Sequence, residues 1–480
     1  MALPQLYTEI TLKRDFFGNQ KLTTTSSFLK ALNTLTSGNV GPLVKKLVLQ
    51  DDTYQSSTWE FSRSKCVLDY LALRKVPVGV AVERCTNLQS YTWDLVTVIG
   101  PSVYRALGQL QHLQSLRICY WVHDLEQRDS EVLEVPPLPR LRELMVENYF
   151  PRMHRHDFSA VLLHATRLEV LNWHFDLLEE LPTRGVYTIK LFDQLRKARR
   201  KLRLKSFRLC NGGDRWSGNA LREAIDVQQL TELSFIELGN LARWDKHDQA
   251  GLEFTGGPWL MLIGPKLCLK SIQYDRLDRG FAHCLGSITG LERMYMLDFS
   301  PYTEPSLQAT PGTGSVAAER QKLRDMFLDA IVTNHGATLR HLMLPRDWPL
   351  PTSWIAKLFR TCPNITQLSL ATECEPLEAM SILVPFLRKL WAIRVRFPAS
   401  VEPYENKMEK DLAEHFDFPE LRYIALEEEV GFARLVWEVG EIYEKDGMRK
   451  RTMKRIGRED VEGVEIWKMG TRWQCALWGA

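Results

Sequence analysis

His154, His156 and Asp157 stand close enough in the chain to suggest a metal site, because alternate residues of a strand present two ligands to one side. No further ligand cluster follows them, so the segment is read as a solvated loop before the next helix. Nine cysteines, at 66, 85, 119, 210, 268, 284, 362, 374 and 475, bring thiol chemistry into question. They are scattered singly and odd in number, with no Cys-x-x-Cys pair and no zinc spacing. Cys119 and Cys210 fall at sheet positions without a base signature nearby, which is the pattern of structural thiols. Gly312-Thr-Gly-Ser315 lies in a Pro/Thr/Ser context, not after a strand as a phosphate cradle requires. The chain has no Gly-x-x-x-x-Gly-Lys loop, no Gly-x-Gly-x-x-Gly turn and no Gly-x-Ser-x-Gly elbow. The expectation is no catalytic residue, no metal and no cofactor.

The elements that must position the remaining polar side chains are set by one short pattern, Leu-x-x-Leu-x-Leu. It reads Leu113-Gln-Ser-Leu116-Arg-Ile118, Leu141-Arg-Glu-Leu144-Met-Val146, Leu168-Glu-Val-Leu171-Asn-Trp173 and Leu339-Arg-His-Leu342-Met-Leu344. Copies begin at 7, 44, 88, 113, 141, 168, 204, 230, 269, 291, 339, 365, 390 and 421, most often 25 to 28 residues apart. That spacing is the leucine-rich-repeat period. Each copy alternates like a short strand and then hands over to a connector with helical spacing. In 353–360, Trp354, Ile355, Leu358 and Phe359 recur helically, with Ser353 placed as an N-cap; 321–332 repeats the signature through Leu323, Phe327, Leu328 and Ile331. No such unit buries its apolar face alone, whereas stacked units do. The expected fold is therefore an α/β leucine-rich-repeat solenoid, a horseshoe with a parallel concave sheet and outer helices or loops.

With 62 basic and 59 acidic residues, the net charge of +3 favours neither nucleic acid nor a membrane surface. No stretch approaches the roughly 18 uninterrupted apolar residues of a membrane span, and Met1–Tyr7 lacks the pattern of a secretory signal. Unclustered cysteines point to a reducing compartment, cytoplasmic or nuclear. The solenoid is expected over 1–430, with loop insertions near 240–266 and 299–318, and a basic linker and Trp-rich cap over 431–480. A hairpin turning at Gly470-Thr471 and carrying Trp467, Trp473 and Trp478 would cover the last repeat. Arg196–Arg203 is read as a solvated turn or helix, and Arg449–Arg458 as either an import signal or a solvated linker.

Leu358-Phe-Arg-Thr-Cys362-Pro-Asn364-Ile365-Thr-Gln-Leu368-Ser-Leu370 and Asn334-His-Gly336-Ala-Thr-Leu339-Arg-His-Leu342-Met-Leu344 resemble units of fungal F-box/leucine-rich-repeat proteins. The opening Leu3-Pro-Gln-Leu-Tyr7-Thr-Glu-Ile-Thr-Leu12 is similar to the stretch just after the F-box in those proteins. The resemblance implies the substrate-binding half of a cullin–RING ubiquitin ligase receptor. The adaptor-binding F-box would precede Leu3, so Skp1 is expected as a partner only if an F-box is missing from this sequence. A scaffolding repeat protein unconnected with ubiquitin is the alternative.

In the repeated pattern the leucines face the core and the residues between them face the groove. These are Arg117 and Cys119, Glu143 and Glu147, Asn172 and His174, Arg208, Asp275, Arg293 and Tyr295, His341, and Arg394 and Arg396. Arginine and tyrosine are common interface anchors. The candidate protein-binding set is therefore Arg117, Glu143, Glu147, His174, Arg208, Asp275, Arg293, Tyr295, Arg394 and Arg396, equally explained by an inner face that is simply wet. Alanine at Tyr295 or Arg394 is expected to weaken partner binding without moving Tm; neutralising Arg199 and Arg200 is expected to do neither.

Overall fold

An apolar residue at the fourth and sixth positions of each copy, separated by one residue that faces the other way, puts two large side chains on one face of a strand. Parallel strands in register then stack these faces into one core. The computed structural model describes residues 8–14, 23–37, 39–51, 77–95, 99–120, 133–149, 156–175, 184–210, 218–236, 262, 267–275, 279–297, 314–346, 348–383, 385–397, 419–428, 434–443, 449–457, 461 and 463–467. It is an α/β structure with mostly parallel strands, divided into two compact units. The first holds the described residues up to Leu230, with 262 and 267–268; the second holds Thr231–Ile236 and the described residues from Leu269 onward. The first division falls between Leu230 and Thr231, and the described residues beyond 431 group with the second unit.

The first unit contains β1 (Glu9–Arg14), β2 (Lys46–Asp51), β3 (Ser90–Asp94), β4 (Ser115–Cys119), β5 (Leu133–Glu134), β6 (Glu143–Tyr149), β7 (His156–Asp157), β8 (Val170–Phe175) and β9 (Ser206–Cys210). Its main sheet runs β1-β2-β3-β4-β6-β8-β9, all parallel, and β5 pairs with β7 separately. The second unit contains β10 (Glu232–Ile236), β11 (Ser271–Tyr274), β12 (Arg293–Met296), β13 (His341–Met343), β14 (Gln367–Ala371), β15 (Ala392–Phe397) and β16 (Tyr423–Glu428), again parallel in chain order. Two antiparallel strands follow, β17 (Arg434–Tyr443) and β18 (Arg449–Arg455). The basic run read as a linker is thus largely a strand. It carries Lys or Arg along a sheet edge, where charge discourages pairing with another chain. Gly470, Thr471, Trp473 and Trp478 lie outside the described residues, as does most of both insertions.

Leu116, Leu144 and Leu171 are buried in the first unit, as are Leu233, Leu342 and Leu368 in the second. Within each unit they are register neighbours or members of one ladder. A second regularity concerns the backbone. Within each unit two successive N–H groups converge on one carbonyl of the preceding repeat: Arg142 and Glu143 on Gln114, Glu169 and Val170 on Arg142, Thr366 and Gln367 on Arg340. This fixes the register before the strand proper begins.

Helices fill the connectors at Thr23–Ser37, 77–84, Pro101–Gln109, Arg184–Lys197, Arg279–Ser287, Gly314–Asn334 and Thr352–Thr361, among others. The last is capped by Pro351, without a side-chain hydrogen bond, and Ser353 sits inside its first turn rather than at the cap. The residues that carry the family resemblance tie neighbouring turns together. Asn364 Nδ2 donates to the Ala337 carbonyl at 2.8 Å, and Thr338 Oγ1 to that of Leu291 at 2.7 Å. Gly336 is needed because a Cβ there would lie 2.6 Å from the Thr361 carbonyl oxygen. Cys85 and Cys362 are buried where the chain turns into the next strand, and burial pushes each thiol up to about 11.

His335 is buried between turns; its Nδ1 accepts from the Leu291 N–H at 3.3 Å, and its Nε2–H donates to the Leu285 carbonyl at 3.2 Å. Burial lowers its pKa to about 4 from 6.5, against a smaller upward pull from the Leu285 carbonyl. The unfolded chain therefore takes up this proton at a higher pH than the folded one. The stability tied to neutral His335 is fully present above pH 6.5 and is lost as pH falls through about 4. Between about pH 7.5 and about pH 4.5 the loss is expected to be about 2–3 kcal/mol. Urea melts of the wild type and His335→Gln at both pH values check this: equal losses in the two proteins would refute it.

Candidate recognition surface

Third- and fifth-position side chains lie on the strand face away from the leucines. In the first unit the fifth-position row is Thr11, Val48, Thr92, Arg117, Met145, Asn172 and Arg208, each in register with the next. Arg117, with 45% of its side chain exposed, donates from Nη2 to Glu147 Oε2 at 3.0 Å. Burial works to lower the Arg117 pKa, but Glu147 outweighs it and the net direction is upward. A pair this exposed contributes at most ~1 kcal/mol, so it positions the guanidinium more than it holds the fold. Glu143 accepts from Ser115 Oγ at 2.8 Å. Arg117, Glu143, Glu147 and Arg208 thus stay wholly or partly accessible on one sheet face, while His174 on β8 is buried.

Cys119 closes this row beside Asp94 and Glu147. Burial, then the two carboxylates, hold its thiol well above the usual range, which favours the protonated form. One extra residue in β6 shifts the register between Val146 and Tyr149, and Asn148 takes φ 54°, a conformation asparagine tolerates. The shift sends Tyr149 to the apolar side, where its hydroxyl donates to the His156 carbonyl at 2.9 Å. His156 is no loop residue. It is buried, with Nδ1 against the Tyr104 and Tyr120 hydroxyls, while Asp157 Oδ1 accepts from the Ser159 N–H at 2.8 Å, just ahead of the helix Ser159–His164. His154 lies outside the described residues; among those described, no group of three or more His, Cys, Asp or Glu is arranged for a metal ion.

In the second unit the same face is covered. Tyr295 is 1% exposed, Arg394 2% and Arg396 3%, and Asp275 is buried too. These four are corrected from open groove anchors to enclosed polar groups. For Tyr295, Arg394 and Arg396 the enclosure has two parts. On β15 and β16, Arg394 Nη2 donates to both Glu427 oxygens at 2.8 and 2.6 Å, and Arg396 Nε to Oε2 at 3.0 Å. On β12 to β14, the segment 463–467 lies across the strands. Glu465 Oε2 accepts from the Tyr295 hydroxyl and meets His341 Nδ1 at 3.2 Å. Its Oε1 is 3.8 Å from Arg293 Nη1, and Arg293 Nη2 also reaches Glu232 at 2.6 Å. Gln367 Oε1 accepts the backbone N–H groups of Glu465 and Ile466 at 2.9 and 3.3 Å.

The charges agree with that geometry. The hydrogen bond from His341, with those of Tyr295 and the charge of Arg293, outweighs partial burial and lowers Glu465 to about 2. Burial, then Glu465, pushes the Tyr295 hydroxyl far above its usual range. Trp467 packs edge-on to Tyr423, and Val464, Ile466 and Trp467 are buried. Reasoning from the repeat finds Arg293, Tyr295 and His341 but misses Glu465, Gln367, Glu427 and Glu232. Gln367 and Glu232 occupy the third position of their copies and were legible by the same rule; nothing in the repeat marks Glu465.

The basic run at 196–203 is a surface structure: Arg196 pairs with Glu223 at 2.7 Å, and Arg200 Nη1 donates to the Leu163 carbonyl at 2.5 Å. No family model and no curated protein matches this chain. Among the described residues no helix is long and apolar enough to cross a membrane.

Proposed function

We propose that this chain is a leucine-rich-repeat protein-recognition module, used like the substrate-binding half of an F-box receptor of a cullin–RING ubiquitin ligase in a reducing compartment. The observation that carries the reading is the polar strand face of the first unit. Arg117, Glu143, Glu147 and Arg208 stand there on rigid, register-locked strands. Side chains of both charges at fixed spacing suit recognition of a folded or extended protein partner, and such spacing gives specificity more than raw affinity. The ubiquitin context rests on the resemblance of the two repeat units and the opening strand.

A photo-crosslinking amino acid placed at Arg117 or Glu147, and separately at Arg360 on an outer helix, tests the reading in cells. The expected result is one protein adduct common to Arg117 and Glu147 and missing from Arg360. Adducts from Arg360 alone would move the interface to the helices and sink the proposal.

A further inference from the structure

We infer that Arg293, Tyr295, His341 and Gln367 form a receptor for a glutamate-bearing peptide segment of a partner, and that the chain's own Val464–Trp467 is a tethered occupant which the partner displaces. The inference deepens the recognition reading above and rests on it. Three donors of different kinds converge on one carboxylate from two strands: a guanidinium and a phenol from β12, an imidazole from β13. From β14, Gln367 takes two successive backbone N–H groups, a contact that reads main chain rather than side-chain identity. Together they recognise a glutamate in an otherwise generic peptide, with Val464, Ile466 and Trp467 supplying apolar contact around it.

A segment that only had to cover apolar surface would need none of this. Val464, Ile466 and Trp467 already do so, and a carboxylate on that face must be desolvated to be held. The donors in turn make the site selective. Once taken from water, the Tyr295 hydroxyl and its neighbours accept an occupant that brings a carboxylate and reject one that leaves them unpaired. Glu465 keeps 36% of its side chain exposed, so the contact lies at a surface that an incoming peptide can reach. Tethering sets an effective concentration in the millimolar range, which holds the segment in place against weak competitors and yields to strong ones.

The test uses the full chain and a fluorescein-labelled peptide of residues 461–467, Val-Glu-Gly-Val-Glu-Ile-Trp, followed by anisotropy. Glu465→Gln weakens the tethered occupant, and this chain is expected to bind the peptide at least ~10-fold more tightly than the wild type. Adding Tyr295→Phe to Glu465→Gln, or replacing the peptide's second glutamate by glutamine, is expected to remove ~10-fold or more of that affinity. Equal binding by the Glu and Gln peptides, or none by a folded Glu465→Gln chain, overturns the inference. If that variant does not fold, the wild type is titrated with both peptides at millimolar concentration. A preference for the Glu peptide then supports the receptor, and no preference or no binding overturns it. Crosslinks at Arg117 and Glu147 do not involve this site, so their persistence beside a failed peptide titration would remove the receptor and leave the recognition reading standing.

Discussion

Replacing Glu427 by alanine is expected to cost the second unit about 3–5 kcal/mol, the range for breaking a buried ion pair from one side. Arg394 and Arg396 are almost wholly enclosed, and both direct N–H groups at this one carboxylate, itself 6% exposed. Removing it takes from two desolvated guanidiniums a carboxylate that both of them bond. Glu427→Gln keeps the shape and one acceptor oxygen but loses the charge, so it should fall between alanine and wild type. The same reasoning reverses the expectation that Arg394→Ala would leave Tm untouched, since that substitution opens the cluster from the other side. Urea denaturation followed by far-ultraviolet circular dichroism reads all three. A loss below ~1 kcal/mol for Glu427→Ala would show that the cluster is solvated and that its burial has little energetic weight.

The ladder was legible because it depends only on local period. Alternation sets which face is apolar, and the recurrence of Leu-x-x-Leu-x-Leu sets which strands are neighbours. Even the weak opening copy at Tyr7 forms β1 beside β2 in register. Cys362, Asn364, His335 and Gly336 were legible as a pattern, but their purpose was not. A hydrogen bond from Asn364 to the Ala337 carbonyl joins one repeat to the previous one, and the sequence does not display that pairing.

Solvent access was the part that sequence reasoning could not supply. Position in the pattern puts Tyr295 and Arg394 on the polar face as surely as Arg117. What differs is cover: Tyr295 meets Glu465, a residue 170 positions away, and Arg394 is buried although its partner Glu427 on the adjacent β16 stands to it as Glu147 stands to the exposed Arg117. No periodicity relates Glu465 to the repeats, because it lies beyond the last of them. A polar face can thus be read from spacing, whereas its occupancy depends on long-range contacts.

Leu342→Ala should cost about 2–5 kcal/mol, in the upper part of that range, because the site has little freedom to collapse. Leu342 is fully buried, and β13 is fixed on both sides, with Leu342 in register with Met294 of β12 and Leu368 of β14. The backbone cannot move in without breaking ladder bonds to both neighbours, so much of the removed volume remains as a cavity. Met326→Ala is the control. That side chain is 46% exposed on the helix Gly314–Asn334, and its loss should stay within ~0.5 kcal/mol. Comparable denaturation midpoints for the two variants would show that the leucine ladder does not carry the second unit's stability. The effect also reaches the polar face. His341, adjacent to Leu342, points its ring at Glu465, and a β13 that shifts toward a cavity draws that nitrogen away from its 3.2 Å contact. A core substitution on the leucine side should therefore loosen the 463–467 segment on the other, and amide hydrogen exchange at Glu465 and Ile466 should rise in Leu342→Ala under conditions where the unit remains folded.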